Sequence, residues 1–224
     1  MFNFKEIAAN SECVESVTNH GIEDIKTEKM SKGDADNFWK DVFKPDYDCE
    51  DISLEKVFND IYGRKIEEFE FDFTIDEKIH SKMDAFQQET WDELTVDEKK
   101  TAIKELSDCI ADRLGLEELP TIEYFLDDPS NCGYYSPYSN MISLNENTLS
   151  DANEILDTIP HELRHAYQHQ RAGLLENYDD LLYKANLDNY IMPIFLDDGS
   201  CICFTDYQNQ YVEAEARAFA NLFK

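Results

Sequence analysis

The amino-acid sequence predicts an α+β fold, in which helices are combined with a few short strands. Three observations support this class. A helical pattern with clear start and stop signals ends at Gly115, strand-like patterns occupy residues 121–126 and 134–145, and an amphipathic helical pattern rich in histidine follows them. Helices and strands that occur in this order are typical of a small α+β layout rather than of a parallel α/β fold.

Length and charge limit the possible functions. The chain has 224 residues, 42% of them hydrophobic, which is enough for one domain with a buried core and a small appendage. Its 49 acidic and 20 basic residues give a formal net charge of −29. A field of this sign repels nucleic acid backbones and anionic membranes and favours cationic partners. We therefore expect no direct nucleic acid binding, no membrane binding, and a protein or peptide partner with a basic segment.

The N-terminus and the cysteines predict a cytoplasmic protein, although export without a classical signal stays open. The first residues show no basic region followed by an apolar run, and no stretch is long enough to span a membrane. The six cysteines include no CxxC pair and are expected to be reduced thiols. Cys132 could approach a metal, and the alternative is an ordinary small buried residue.

The N-terminal part is predicted to be an extension. Residues 1–65 are expected to form a mostly helical extension, and residues 66–224 the main domain. Residues 68–75 alternate acidic and apolar side chains with a period of two, which predicts a strand.

The following elements have stronger local signals. Thr95 and Glu98 form a capping box at the start of a helix, and Gly115 ends it. Alternation over residues 121–126 predicts a strand, and residues 134–145 predict a hairpin or a bent strand.

Ser150 is expected to cap the helix that carries the histidines. Pro160 either bends that helix or begins a new one. Residues 173–203 are predicted to be rich in loops, and a last helix is expected over residues 209–223.

Residues 159–170 read IPHELRHAYQHQ and contain three of the five histidines. On a helix, the rings of His161 and His165 project from one face at a spacing that suits two nitrogen ligands of one zinc ion. Glu162 lies roughly 100° around the helix, where it can take a proton from a metal-bound water without being a ligand. His169 is about 12 Å along the axis from His161, too far to bind the same ion. The alternative is a polar surface face opposite the apolar stripe of Ile155, Ile159, Leu163, Ala166 and Tyr167.

Together with residues 211–223, this motif resembles the gluzincin metallopeptidases, and most closely the ImmA/IrrE-like metallopeptidases. The matching residues are His161, Glu162, His165, Glu213, Ala216, Phe219 and Ala220. The resemblance implies a zincin-like domain over residues 66–224, made of a small sheet, an active-site helix and a C-terminal glutamate helix. It implies one Zn²⁺ per chain bound by His161, His165 and Glu213. It also implies that Glu162 is the catalytic base in peptide-bond hydrolysis, with residues 141–145 holding the substrate as an added strand.

More than one residue could be the third ligand. In the last helix, Tyr211, Phe219 and Leu222 place Glu215 in the middle of the bulky apolar face, and Glu213 at its edge. A ligand that faces an open cleft belongs at an edge, so we expect Glu213 to be the ligand. Glu215 is the reserve candidate, followed by Asp197 or Asp198.

Two questions remain open at the level of the sequence. Arg217 replaces the Asn or Asp that is usual in the family, so the expected partner of a ligand histidine is missing, and Asp157 or Asp206 could substitute for it. The rival functions are a non-enzymatic acidic interaction protein, such as a nucleic-acid mimic or immunity factor, and an exported effector or toxin protease.

Overall fold

The computed structural model describes residues 54–62, 69–126, 131–195 and 201–224. Over these residues it confirms the α+β class, because it is mostly helical with a small three-stranded sheet. Most of the predicted N-terminal extension lies outside the described residues. Within them, none of the helices combines the length and the apolar composition needed to cross a membrane. The α-helices are α1 (Leu54–Tyr62), α2 (Glu77–Met83), α3 (Gln88–Glu93), α4 (Val96–Leu114), α5 (Ala152–Leu174), α6 (Tyr178–Asp188), α7 (Phe204–Asn209) and α8 (Tyr211–Ala220).

The chain divides into two compact units. Among the described residues, the first unit contains α1 and the stretch Arg171–Glu213, which includes α6 and α7. The second unit contains the stretches Lys65–Gln170 and Ala214–Lys224, and with them the three-stranded sheet and most of α5 and α8.

The sheet of the second unit consists of β1 (Thr121–Phe125), β2 (Gly133–Ser136) and β3 (Met141–Asn145). The predicted strand and hairpin are thereby confirmed. The strand order is β1-β3-β2, with β3 parallel to β1 and antiparallel to β2. Because β3 is hydrogen-bonded along both sides, it cannot accept a further strand, and the prediction that residues 141–145 hold a substrate in this way is wrong. The first unit contains a separate antiparallel ribbon of two strands, β4 (Ile194–Phe195) and β5 (Cys201–Ile202).

Helix α4 begins and ends where the sequence indicates. The side chain of Thr95 accepts a hydrogen bond from the backbone N–H of Glu98, and the Glu98 carboxylate accepts one from the backbone N–H of Thr95 at 2.9 Å. Gly115 takes a left-handed conformation with φ 72°, which ends the helix. Both signals are local, so the helix could be located without any tertiary information.

Residues 69–75 do not form the predicted strand. Their exposure alternates as expected, with Phe71 and Phe73 half-buried and Glu70 and Asp72 exposed, but no other described segment pairs with them. Instead, the rings of Phe71 and Phe73 pack edge-on against Phe219 of α8, with centroids 5.5 and 4.8 Å apart. A period of two indicates an extended segment with one buried face, and it does not by itself supply a neighbouring strand.

The structure corrects the expected cap of α5 and excludes one of the two alternatives for Pro160. The cap of α5 is Asp151 and not Ser150, because Asp151 Oδ1 accepts hydrogen bonds from Asn153 N at 2.9 Å and Glu154 N at 3.3 Å. Ser150 belongs to the preceding 3₁₀ turn, Glu146–Ser150. Pro160 does not begin a new helix, since α5 runs through it from Ala152 to Leu174, which leaves the alternative that it bends this helix.

The region 173–203 is not simply a loop, because it contains α6. Asn177 and Asp180 form a reciprocal capping box at the start of this helix. Asp180 also accepts a hydrogen bond from Arg171 at 2.7 Å, although its side chain is only 1% exposed. An Asn followed three residues later by Asp, and then by Leu181 and Leu182, is a helix start that the sequence-based prediction missed.

Gly133 of the second unit lies where there is no space for a side chain. A Cβ atom at this position would lie 2.8 Å from Thr158 Cγ2 and 2.9 Å from the backbone oxygen of Ser143. We therefore expect Gly133→Ala to lower the free energy of unfolding by about 1–3 kcal/mol, measured by chemical denaturation. The matched control is Gly173→Ala in α5, where a Cβ would meet nothing within 4 Å and alanine should be neutral or stabilising. Equal effects of the two substitutions would contradict this steric explanation.

Candidate metal centre

His161 and His165 occupy successive turns of α5 and are both half-buried. The apolar stripe predicted on this helix is buried or half-buried, which directs the two histidines away from the core. Their rings are nearly perpendicular, with centroids 4.6 Å apart, and their Nε2 atoms converge to 3.0 Å. The i, i+4 spacing of the motif thus brings two imidazole nitrogens to one point.

Glu213, in the first turn of α8, is the third member of the group. One oxygen of its carboxylate and one nitrogen of each of His161 and His165 all lie within 4.8 Å of one another. Glu213 is only 2% exposed, so its charge is not simply solvated. Two imidazole nitrogens and one carboxylate oxygen form a donor set that could hold a metal ion, and the set matches the ligands that zinc takes in catalytic sites.

Glu215 has a different environment. The residue is 2% exposed, and its carboxylate forms an ion pair with Arg164, whose Nε lies 2.9 Å from both carboxylate oxygens. Two residues along a helix correspond to a rotation of about 200°, so Glu213 and Glu215 cannot face the same side. The structure therefore groups Glu213 with the histidines and places Glu215 against Arg164. Asp197 and Asp198, the remaining candidates for the third ligand, lie outside the described residues.

Tyr190 contacts Glu213 within the first unit. Its hydroxyl donates a hydrogen bond to Glu213 Oε1. Burial and the adjacent negative charge of Glu213 raise the pKa of Tyr190 far above its usual value, so the phenol keeps its proton and remains a donor. Among the many tyrosines of the sequence, none could be assigned this contact before the fold was known.

A cavity of about 190 Å³ lies beside His161 in the second unit. Glu162, which is only 6% exposed, lines this cavity together with His161. Arg217, which stands where the metallopeptidases that the motif resembles usually have Asn or Asp, lines the same cavity. The complete lining is Cys132, Gly133, Asp157, Thr158, His161, Glu162 and Arg217.

Cys132 and His169 lie near the histidines but are not part of the group. Burial, followed by a hydrogen bond with Glu154, raises the pKa of the Cys132 thiol to about 12, so the thiol stays protonated in the metal-free protein. Burial lowers the pKa of His169 to about 4, with the neighbouring His165 contributing, so His169 is neutral. The His169 ring packs near Tyr135, with centroids 5.7 Å apart.

Neither Asp157 nor Asp206 substitutes for the Asn or Asp that Arg217 replaces, which was expected to contact one of the two histidines. Asp157 forms an ion pair with Lys224 at 2.9 Å, and Asp206 is exposed in α7. His165 Nδ1 instead lies 2.8 Å from Gln168 Oε1. The sequence contained a signal for this contact, since residues three apart are neighbours on a helix surface.

No protein-family model matches this chain, and no match was found among curated proteins or among solved structures. The metallopeptidase family named from the motif therefore stays a prediction.

Proposed function

We propose that the protein is a zinc-dependent metallopeptidase that hydrolyses peptide bonds of a protein substrate. The observation that supports this most is the convergence of three donor atoms, from His161, His165 and Glu213, within 4.8 Å of one another. Glu162, an additional carboxylate outside this group, lines the adjoining cavity. A donor set that could hold a metal ion, beside a carboxylate that borders a solvent-filled cavity, is an arrangement suited to metal-assisted hydrolysis.

The residues of the group suit zinc. His161 and His165 would supply neutral nitrogen donors and Glu213 a carboxylate, which leaves a fourth position open as in catalytic zinc sites. When bound, zinc would polarise a substrate carbonyl and lower the pKa of a water molecule to about 7. A bound cation would also balance the negative charge of the buried Glu213 carboxylate. We expect one zinc ion per chain.

Glu162 would perform the proton transfers. Its carboxylate would accept a proton from the attacking water and later donate it to the nitrogen of the leaving amine. Its low exposure, and its place one residue after His161 on the same rigid helix, would hold it at a constant position relative to the ligands. Both features support its role as general base and acid.

The outer side of β2 is the best-placed surface for the substrate backbone. Asn145 N donates to Cys132 O at 3.0 Å. In the antiparallel register, the backbone N–H and C=O groups of Tyr134 therefore also point toward β3, whereas those of Gly133 and Tyr135 point to the opposite side. Within the described part of the chain, no strand pairs with that side, but its Gly133 N–H already donates to Asn131 Oδ1 at 3.1 Å, so a peptide would pair mainly with Tyr135. Because Gly133 also lines the cavity, an extended peptide paired with β2 would pass Glu162. The net charge of −29 favours a substrate segment with basic residues, and we expect the protein to act in the cytoplasm.

Metal analysis of the purified protein tests this proposal. We expect one zinc per chain in the native protein and its loss in His161→Ala, because two remaining donors bind zinc far more weakly than three. The matched control is His80→Ala, which removes an exposed histidine of α2 and should keep the zinc. A native protein that neither contains nor takes up zinc would contradict the proposal and would favour the acidic interaction protein.

A further inference from the structure

A buried series of hydrogen bonds connects Arg164 to His165 through two side chains of the second unit. Arg164 binds Glu215, Glu215 binds Gln168, and Gln168 binds His165. We propose that Arg164, Glu215 and Gln168 hold His165 in one tautomer, with its proton on Nδ1, and so keep the Nε2 lone pair directed at the metal centre. These three are positioning residues. The inference rests on the proposed function only in taking zinc to be the ion that uses this lone pair.

Arg164 fixes the charge of Glu215. The guanidinium of Arg164 keeps its charge at any pH at which the protein is folded, and it donates to Glu215 through both Nε and Nη2. The Arg164 and Glu215 side chains are only 10% and 3% exposed. Around Arg164, its guanidinium carbon lies 4.2 Å from the ring centroid of Tyr167 and 5.1 Å from those of Phe71 and Phe219. Glu215 is therefore an ionised carboxylate, which can only accept hydrogen bonds.

Glu215 fixes the orientation of the Gln168 amide. The Gln168 side chain is fully buried, with 0% exposure, and its Nε2 lies 2.6 Å from Glu215 Oε2. Because an ionised carboxylate has no proton to donate, the atom of Gln168 that faces it has to be the amide nitrogen. The amide oxygen then faces the other way, toward His165.

Gln168 fixes the position of the proton on His165. Gln168 Oε1 lies 2.8 Å from His165 Nδ1, and a carbonyl oxygen can only accept a hydrogen bond. Nδ1 therefore carries the proton, and the neutral ring has its lone pair on Nε2. This nitrogen is the one that lies 3.0 Å from His161 Nε2, within the metal-binding group.

The two histidines are consequently different before a metal binds. With a lone pair on His165 Nε2, the 3.0 Å contact requires that His161 Nε2 carry a proton and donate it. The metal-free protein should thus contain His165 protonated on Nδ1 and His161 protonated on Nε2. Metal binding would displace the proton from His161 Nε2, whereas His165 is already in the form that binds a metal.

The tautomers can be measured without any metal. In the ¹⁵N–¹H spectrum of the imidazole groups of the metal-free native protein, recorded at about pH 8, His165 should show the pattern of an Nδ1–H ring and His161 that of an Nε2–H ring. The signals are assigned by their loss in His165→Asn and His161→Asn. A His165 ring protonated on Nε2 would overturn the proposal.

A pair of matched variants then tests the effect on the metal centre. Gln168→Met keeps the size of the side chain and removes both hydrogen bonds, so zinc affinity should fall about 10–100-fold, as for other partners of metal-binding histidines. The control is Gln170→Met, because Gln170 also lies on α5 and makes two hydrogen bonds, 2.8 Å from Glu117 N and 3.0 Å from Gly115 O. We expect its zinc affinity to stay within about twofold of the native value, well below the effect of losing a ligand partner.

Equal losses of affinity in the two variants would contradict a positioning role for Gln168. If Gln168→Met does not fold, as judged by circular dichroism, the tautomer measurement on the native protein decides the question alone. A native protein that binds no zinc would refute the proposed function, yet the spectrum would still show whether His165 carries its proton on Nδ1. The two proposals therefore fail separately.

Discussion

Replacing Glu162 with glutamine is expected to lower the rate of peptide cleavage by roughly 10²–10⁴-fold and to leave the zinc content unchanged. An amide has nearly the size of a carboxylate but cannot accept the proton of the attacking water. Glu162 does not belong to the group of His161, His165 and Glu213 that could hold a metal ion, so its replacement removes none of the three proposed ligands. Activity and metal content should therefore separate in this variant.

Because the substrate is unknown, cleavage is best measured across a whole proteome. Newly formed protein N-termini are compared between cells that express the native protein and cells that express Glu162→Gln. Glu123→Gln is the matched control, since Glu123 is an exposed glutamate on β1 and its replacement should leave the cleavage pattern unchanged. Loss of zinc from Glu162→Gln would show that this carboxylate is a ligand, and unchanged cleavage would exclude it as the general base.

Replacing Glu215 with methionine is expected to destabilise the protein by about 3–5 kcal/mol. The substitution leaves Arg164 as a buried cation without its carboxylate and also removes the acceptor of the Gln168 amide. Arg164 and Gln168 each lose the acceptor that offsets the free-energy cost of removing their polar groups from water. The double variant Arg164→Met/Glu215→Met removes the cation as well and should recover much of the lost stability.

The free energy of unfolding from chemical denaturation provides the measurement. The control is Asp108→Asn, which breaks the exposed pair of Lys104 and Asp108, whose side chains are 66% and 39% exposed. We expect a much smaller change there, because solvent screens exposed ion pairs. If Glu215→Met and Asp108→Asn lost similar stability, Glu215 would have no structural role in the interior.

Local signals account for the parts of the fold that the sequence predicted correctly. The capping box of Thr95 and Glu98 and the left-handed Gly115 act within one helical turn, and α4 has the predicted bounds. The hairpin of β2 and β3 was likewise visible in a short stretch. In contrast, the strand order could not be predicted, because the position of β3 between β1 and β2 depends on a pairing between distant segments.

The remaining errors have a similar cause. Residues 69–75 alternate as a strand does, but their apolar side chains cover Phe219, which is far away in the sequence. Helix α6 was not predicted, because its start signal, Asn177 with Asp180, lies in a segment rich in the Asn and Asp residues that also favour turns. A pattern reports which side chains are buried, and tertiary packing decides what buries them.

At the candidate site, the sequence alone was enough to show that His161, Glu162 and His165 share one helix and that both imidazoles lie on one face, because helix geometry is local. Tertiary packing selected the glutamate that approaches them. The pattern of the last helix already favoured Glu213 over Glu215, which lies about 200° around the helix. The packing of α8 then decided that Glu213 is the one within reach of the histidines. The same packing placed Glu215 between Arg164 and Gln168, since a buried carboxylate is stable only where donors from other segments surround it.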